Sequence, residues 1–313
     1  MVRQLQPRAS TDHRALSLAS QTQSLGVRRV PYGFYTSMLD QDFNQQHYAY
    51  DEMGLEFDGV DYEHGDDVIS RLLGELGQYG RERASDLFPK LVSIVARDHL
   101  QYGICIFELS EQAGAEAPGP RLGLLPGWSL KHRGRRTFQA TPSGGKLEWR
   151  KLPTSALIRF RLPERLGREL HRVGERLRAL DTRKRSDLDM IANLRSTGYD
   201  FRTHQILLDE MAARATRSIG WDGRGAFLRR ATDSYRTYRR LRFLRTWLTV
   251  ASATTETLNV ICRHPGVNAG APITIRVTGL PTIDEVDQHM DAVIDGTESL
   301  DKISKQVLHP RHN

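Results

Sequence analysis

The longest helical pattern in the chain runs from about Ala226 to about His264, and Pro265 then ends it. It covers about 38 residues, whereas an average helix of a globular protein has about 11–12. A helix of this length needs lateral support along its whole reach. We therefore expect the chain to form an assembly in which neighbouring subunits supply part of that support.

The first half of this pattern is rich in arginine. Six of the eighteen residues from Arg230 to Trp247 are arginines, and Asp233 is the one acid among them. A helical projection places arginines on both sides of the apolar stripe, whereas a membrane-surface helix has one apolar face opposite a basic one. The chain also lacks the run of about 18 apolar residues that a membrane span needs. We expect no membrane partner.

Arginine and tyrosine together suit two kinds of partner. The guanidinium fork pairs with phosphates or with carboxylates, and aromatic rings can stack on bases. The helix could therefore contact a nucleic-acid backbone or the acids of a neighbouring subunit, or it could present a solvated face. The residues predicted for the contact are Arg229, Arg236, Arg239, Arg240, Arg242, Arg245, Tyr235 and Tyr238, with Trp247 as a further stacking candidate.

Residues 51–67 reverse the charge of their surroundings, with eight acids and no lysine or arginine. Their oxygens could hold a hard cation, but the spacing of a calcium loop is absent. We therefore expect a structural role or a contact with an arginine-rich surface of another subunit. The candidate acids are Asp58, Asp61, Glu63, Asp66 and Asp67, of which Asp66 or Asp67 is expected to be the N-cap of the next helix.

A glycine-rich break, "GWDGRG", precedes the long helix. It has neither the spacing nor the preceding strand of a dinucleotide-binding loop, so we predict a hinge formed by Gly220, Trp221, Asp222, Gly223 and Gly225. The glycines would adopt positive φ angles. Trp221 would anchor the turn in an apolar pocket, and Asp222 would cap the long helix.

Periodicity divides the chain into four regions. Residues 1–30 form a partly ordered basic arm, and residues 31–100 are helical and acidic. Residues 101–162 alternate like a small antiparallel sheet. Residues 163–313 are helical and end in a strand and a helix, the latter running between Thr282 as N-cap and Gly296. The predicted fold is α+β, mostly helical, with a small antiparallel β insertion, one very long helix and a late short strand.

The remaining features indicate a binding or structural protein. The net charge of +7 is compatible with contact to a polyanion. Cys105 and Cys262 lie in apolar surroundings, which favours two buried free thiols in a cytoplasmic protein. The chain has no phosphate-binding loop, HExxH, paired CxxC or GxSxG motif. We expect no enzyme activity, catalytic residue, cofactor or metal.

Residues 255–304 carry a resemblance to a known family. A long helix gives way to the strand "PITIRVTGLP", which is followed by an acidic helix, a glycine and "SLDKIS". This order resembles the corresponding region of tailed-phage portal proteins. In the same family, "LEWRKLPTSALIRFRLP" is similar to the wing strands, and "FPKLVSIVARDHLQYGICIFEL" is similar to the helix–glycine–strand passage that opens the core.

The resemblance implies a structural homo-oligomer, a ring of commonly twelve copies at one vertex of a phage or prophage capsid. Double-stranded DNA would pass through it without sequence preference, and terminase and head-completion proteins would dock on it. The protein would be found in the virion or the host cytoplasm and would carry out no chemistry. An alternative from the arginine helix is a basic nucleic-acid-binding protein that acts as a monomer or dimer.

Overall fold

The structure is a computed structural model, and it describes residues 33–50, 53–77, 82–111, 119–134, 136–143, 146–193, 201–224, 231–268 and 271–308. The predicted arm at residues 1–30 lies outside these ranges. The described chain divides into two compact units. Unit one comprises the described residues of 54–161 and 253–278, and unit two those of 31–53, 162–252 and 279–313.

The described residues are mostly helical. The helices are α1 (Phe34–Gln45), α2 (Tyr62–Leu72), α3 (Ala84–Tyr102), α4 (Glu164–Asn193), α5 (Phe201–Ala215), α6 (Asp233–Cys262), α7 (Pro265–Asn268), α8 (Ile283–Asp295) and α9 (Leu300–Ile303). The predicted long helix is α6, which has 30 residues and is shorter than expected at both ends. A second helix, α4, has the same length.

The strands form three antiparallel sheets. They are β1 (Gly54–Asp58), β2 (Cys105–Glu111), β3 (Pro120–Leu125), β4 (Leu130–Arg133), β5 (Arg136–Ser143), β6 (Lys146–Lys151), β7 (Leu157–Phe160) and β8 (Thr274–Thr278). Their orders are β1–β8, β3–β2–β7 and β4–β5–β6. The mostly helical α+β class, with its antiparallel insertion and late strand, is confirmed. The insertion consists of two sheets, and the late strand pairs with β1, a strand that the sequence analysis did not predict.

An apolar core joins the two three-stranded sheets of unit one. Ile106 on β2, Leu125 on β3 and Leu152, which follows β6, are buried together. Leu130 at the start of β4 packs against the same cluster. Since alternate residues of a strand point to opposite faces, the face of the β4–β5–β6 sheet that holds Leu130 and has the parity of Leu152 contributes to this core.

Both cysteines are buried free thiols, as the sequence predicted. Burial and, to a smaller extent, the charge of Asp98 raise the pKa of Cys105 well above its ordinary value. Burial raises the pKa of Cys262 to about 12. Because the thiolate is the reactive form, we expect both thiols to be unreactive at neutral pH.

In unit two, α4 packs against both α1 and α5. The N-terminus of α1 has no capping side chain from its own N-cap residue, Gly33. Asp181 on α4 takes this role: its carboxylate accepts hydrogen bonds from the amides of Tyr35 at 2.7 Å and Thr36 at 3.2 Å. It also accepts one from the Thr36 hydroxyl at 2.8 Å. A carboxylate is favoured there because the amides at a helix N-terminus carry partial positive charge.

Replacing Asp181 with alanine is expected to lower the free energy of unfolding by about 2 kcal/mol, the upper range for losing a helix cap. Asp181→Asn, which retains an acceptor, is expected to cost less. Glu175→Ala is the control on the same helix, since Glu175 is exposed and its ion pair with a described residue is the long one to His171, at 3.7 Å. Urea denaturation provides the measurement, and equal midpoints for Asp181→Ala and Glu175→Ala would contradict the capping role.

Candidate functional site

The predicted hinge forms a tight turn, residues 216–224, which we call the joint. Gly220 has a φ of +81° and Gly223 a φ of +58°, so both adopt the positive φ predicted for them. A Cβ atom on Gly220 would lie 2.4 Å from the amide nitrogen of Phe243 and 2.5 Å from the carbonyl oxygen of Arg239. The joint therefore passes directly against the backbone of α6, where only glycine fits. Gly225 lies outside the described residues.

Arg239 holds this turn from inside. Its side chain is 1% exposed. Nε donates to the carbonyl of Gly220 at 3.3 Å, and Nη1 donates to that of Ala213 at 3.2 Å. Nη2 donates to the Thr216 hydroxyl at 3.1 Å and to the carbonyl of Trp221. Burial lowers the pKa of Arg239.

The prediction that Arg239 contacts a partner is wrong, because its guanidinium group is buried and occupied by its own chain. The five N–H donors of arginine are arranged in a fixed fork, and here that fork binds both the end of α5 and the turn after it. The residue thus fixes the direction in which the chain leaves α5.

Trp221 anchors the joint to α1. The indole is 1% exposed, as expected, but it also makes a polar contact: Nε1 donates to Asp42 at 2.7 Å. The other oxygen of Asp42 accepts from Nε of Arg224 at 2.7 Å. The predicted cap by Asp222 is wrong, because α6 begins only at Asp233. Asp222 instead accepts a hydrogen bond from Arg240 at 3.1 Å.

Three more of the predicted contact arginines bind within unit two. Arg242 Nε donates to the carbonyl of Ser218 in the joint at 2.8 Å. Arg245 forms a bidentate pair with Asp287 on α8, with one N–O distance of 2.9 Å, and this hydrogen bonding raises the pKa of Arg245. Arg236 is half-buried and pairs with Asp233 at 3.5 Å. Arg229 lies outside the described residues.

The aromatic residues of α6 are unequal candidates for stacking. Trp247 is fully buried, and its Nε1 donates to the carbonyl of Phe43 at 3.1 Å, so its predicted role in base stacking is wrong. Tyr238 is half-buried, with its hydroxyl 3.4 Å from Arg242 Nη1. Tyr235, at 36% exposure, is the most accessible of the three.

The predicted acidic contact residues have different structural roles in unit one. Asp61, not Asp66 or Asp67, caps α2: its Oδ1 accepts from the amide of His64 at 2.8 Å. The helix starts earlier than predicted because this carboxylate is placed to satisfy its first turn. Asp66 accepts instead from the amide of Ala84 at the start of α3, at 3.0 Å. Asp58 pairs across the β1–β8 sheet with Arg276 at 2.7 Å.

The remaining two predicted acids, Glu63 and Asp67, line a cavity of about 590 Å³ in unit one. Glu63 is exposed at its edge, and Asp67 forms an ion pair with Arg71. Arg121 and Arg83 also line the cavity, as do the acids Asp66 and Glu82. Within the described ranges, no group of three or more histidines, cysteines or carboxylates could hold a metal ion.

Comparison with known proteins adds no relative. No family model matches the chain, and no curated protein matches it. The described part of the chain contains no helix that is long and apolar enough to cross a membrane. The functional argument therefore depends on the residues and contacts described above.

Proposed function

We propose that the chain is a structural, ring-forming, portal-like protein of a phage or prophage particle. Its ring would provide a channel for double-stranded DNA and a docking site for terminase and head-completion proteins. The supporting observation is the joint, which Arg239 of the 30-residue helix α6 and Asp42 of α1 hold through Gly220 and Trp221. On this proposal, the protein is found in the virion or in the host cytoplasm.

A fixed joint suits a subunit that must keep its shape while DNA moves past it. Hydrogen bonds from a buried guanidinium have fixed directions, so they favour one geometry over many. The order of elements after α6 also supports the proposal, because the strand β8, the acidic helix α8 and the short helix α9 follow one another as the resemblance to portal proteins implies.

The alternative, a monomeric or dimeric protein that binds nucleic acid through the arginine helix, has less support. Arg239, Arg242 and Arg245 are engaged with their own chain, and an occupied guanidinium has fewer donors left for phosphate. Trp247 is buried. Arg236 and Arg240 also pair with acids of their own chain, Asp233 and Asp222, so the described part of the helix offers a small contact for tight binding.

We expect the purified chain to form a closed ring with a mass close to twelve times the 35.6 kDa of one chain. Sedimentation and negative-stain imaging would measure it. If the acids of residues 51–67 meet an arginine-rich surface of a neighbour, reversing the charge of exposed Glu63 with Glu63→Arg should weaken assembly. Glu175→Arg, a reversal at an exposed site in unit two, is the matched control.

The proposal fails if the chain sediments as a monomer at every salt concentration and stays monomeric when it is produced with the neighbouring gene products of its operon. If Glu63→Arg forms a ring as well as the parent does, the proposal of a ring is kept, but the acidic segment is not part of the subunit interface.

A further inference from the structure

The β4–β5–β6 sheet presents one face that carries only positive charge. In its register, Lys131 lies opposite Phe138, which lies opposite Lys151 on the next strand. Residues directly opposite each other share a face, as do alternate residues along a strand. One face therefore holds Lys131, Arg133, Arg136, Phe138, Ala140, Trp149 and Lys151, and we call it the cationic sheet face.

The cations of this face point away from the apolar core of unit one, while Ala140 at its centre is fully buried. Leu130, Thr137 and Leu152 belong to the other face, where Leu152 is buried in the core, Leu130 packs against it and Thr137 is 2% exposed. The one acid of these strands, Glu148, has the parity of that other face, since it lies opposite Thr141. The cationic sheet face thus has no carboxylate of its own.

Its four cations are exposed, and the described residues offer them no carboxylate partner. Lys131, Arg133, Arg136 and Lys151 are all exposed. Among the described residues, no ion pair joins any of the four to a carboxylate. Four exposed cations on neighbouring strands repel one another, and a polyanion would relieve that repulsion.

An exposed indole lies among these cations. Trp149 lies opposite Ala140 and is 45% exposed. The Nζ atom of Lys131 is 5.5 Å from the centre of the Trp149 ring, within the range of a cation–π contact. Phe138 is half-buried on the same face. Aromatic rings set among cations on an open sheet are the arrangement with which proteins hold unpaired nucleotides.

We propose that the cationic sheet face binds single-stranded nucleic acid. Lys131, Arg133, Arg136 and Lys151 contact the phosphates, and the indole of Trp149 stacks on a base. A single strand is favoured over a duplex because a base must be free of its own stack to reach the indole. The proposal is independent of ring assembly, since one chain carries the whole face.

The test is the fluorescence anisotropy of a labelled oligothymidylate, titrated with the full chain at several salt concentrations. The variant K131Q/R133Q/R136Q/K151Q should bind more weakly, with a plot of log affinity against log salt that is shallower by up to about 2.8, or about 0.7 per phosphate contact. Trp149→Ala should weaken binding about 5- to 150-fold, the range expected for one stacked base, with an unchanged slope. Trp149→Phe, which keeps a ring, should retain most of the affinity.

The matched control removes the same charge elsewhere. R172Q/R176Q/R214Q/R217Q changes four exposed arginines on unit two and should leave both affinity and slope close to those of the parent. An equal loss in this control, or no loss with Trp149→Ala, would overturn the proposal. So would binding of duplex DNA or phosphatidylserine vesicles that is as tight as binding of the oligothymidylate. Circular dichroism of each variant confirms that these surface changes leave the fold intact.

Discussion

Replacing Arg239 with methionine is expected to lower the free energy of unfolding by about 3 kcal/mol or more. Methionine fills similar space but donates no hydrogen bond, so the carbonyls of Ala213, Gly220 and Trp221 would lose their guanidinium donor. Each lost hydrogen bond from a charged donor costs about 1.5–3 kcal/mol, and the carbonyl of Trp221 still has the Thr216 hydroxyl at 3.0 Å as a donor. Relief from burying a charge offsets part of this sum. Urea denaturation followed by tryptophan fluorescence measures the difference.

Two further variants make this result specific. Arg239→Lys keeps the charge but loses the planar fork, so it should fall between the parent and Arg239→Met. Arg214→Met is the control because Arg214 is exposed on α5, and it should change stability by no more than about 0.5 kcal/mol. If Arg239→Met were as stable as the parent, the buried guanidinium would not be what fixes the joint.

Trp221→Ala is expected to cost about 3–5 kcal/mol, as for other buried tryptophans cut back to alanine. The loss has two parts, an unfilled volume and an unpaired Asp42 oxygen, which now accepts from the indole at 2.7 Å. Trp221→Phe should cost less, since the ring still fills most of the space while the hydrogen bond is lost. Thermal unfolding of each variant beside the parent gives the comparison.

Trp149→Ala is the control for Trp221→Ala, because Trp149 is an exposed tryptophan of the same chain. Its midpoint should stay close to that of the parent. Unchanged midpoints for both tryptophan variants would mean that the joint is a passive linker, and the proposal of a rigid subunit would lose its main support.

The elements that were predicted correctly are those whose ends or alternation are determined by residues close together in the sequence. Helix α8 begins after Thr282 and ends before Gly296, as predicted, because the capping box of Thr282 with Glu285 and the positive φ of Gly296 are encoded within a few residues. The strands β5 and β6 also lie within residues 101–162, where the alternation predicted an antiparallel sheet.

The elements that were missed depend on distant partners. Strand β1 lies in the acidic run, where its composition is poor for a strand, and its stability comes from pairing with β8 more than 200 residues later. Arg239 could not be assigned to the interior, because arginines lie on several sides of its helix and any of them could have faced solvent. Arg239 is the arginine that becomes buried because the joint passes close to this part of the helix.

The cationic sheet face could have been found from the sequence. Taking every second residue of β4 and of β6 collects lysine, arginine and Trp149 on one side and leaves Glu148 on the other. The arginine helix is the more obvious candidate in the sequence, because six of the eighteen residues from Arg230 to Trp247 are arginines. In the structure, Arg239, Arg242 and Arg245 of that helix are engaged internally, whereas Lys131 and Lys151 on the sheet remain exposed.

The low reactivity expected of the two buried thiols makes the chain suitable for site-specific labelling. Because Cys105 and Cys262 are buried and their pKa values are raised, thiol-directed probes at neutral pH should pass them by. A new cysteine at an exposed position, such as Ser155 between β6 and β7, could then carry a single fluorophore in an otherwise native sequence. Energy transfer between chains labelled in this way would report subunit spacing in solution, without first removing the natural cysteines.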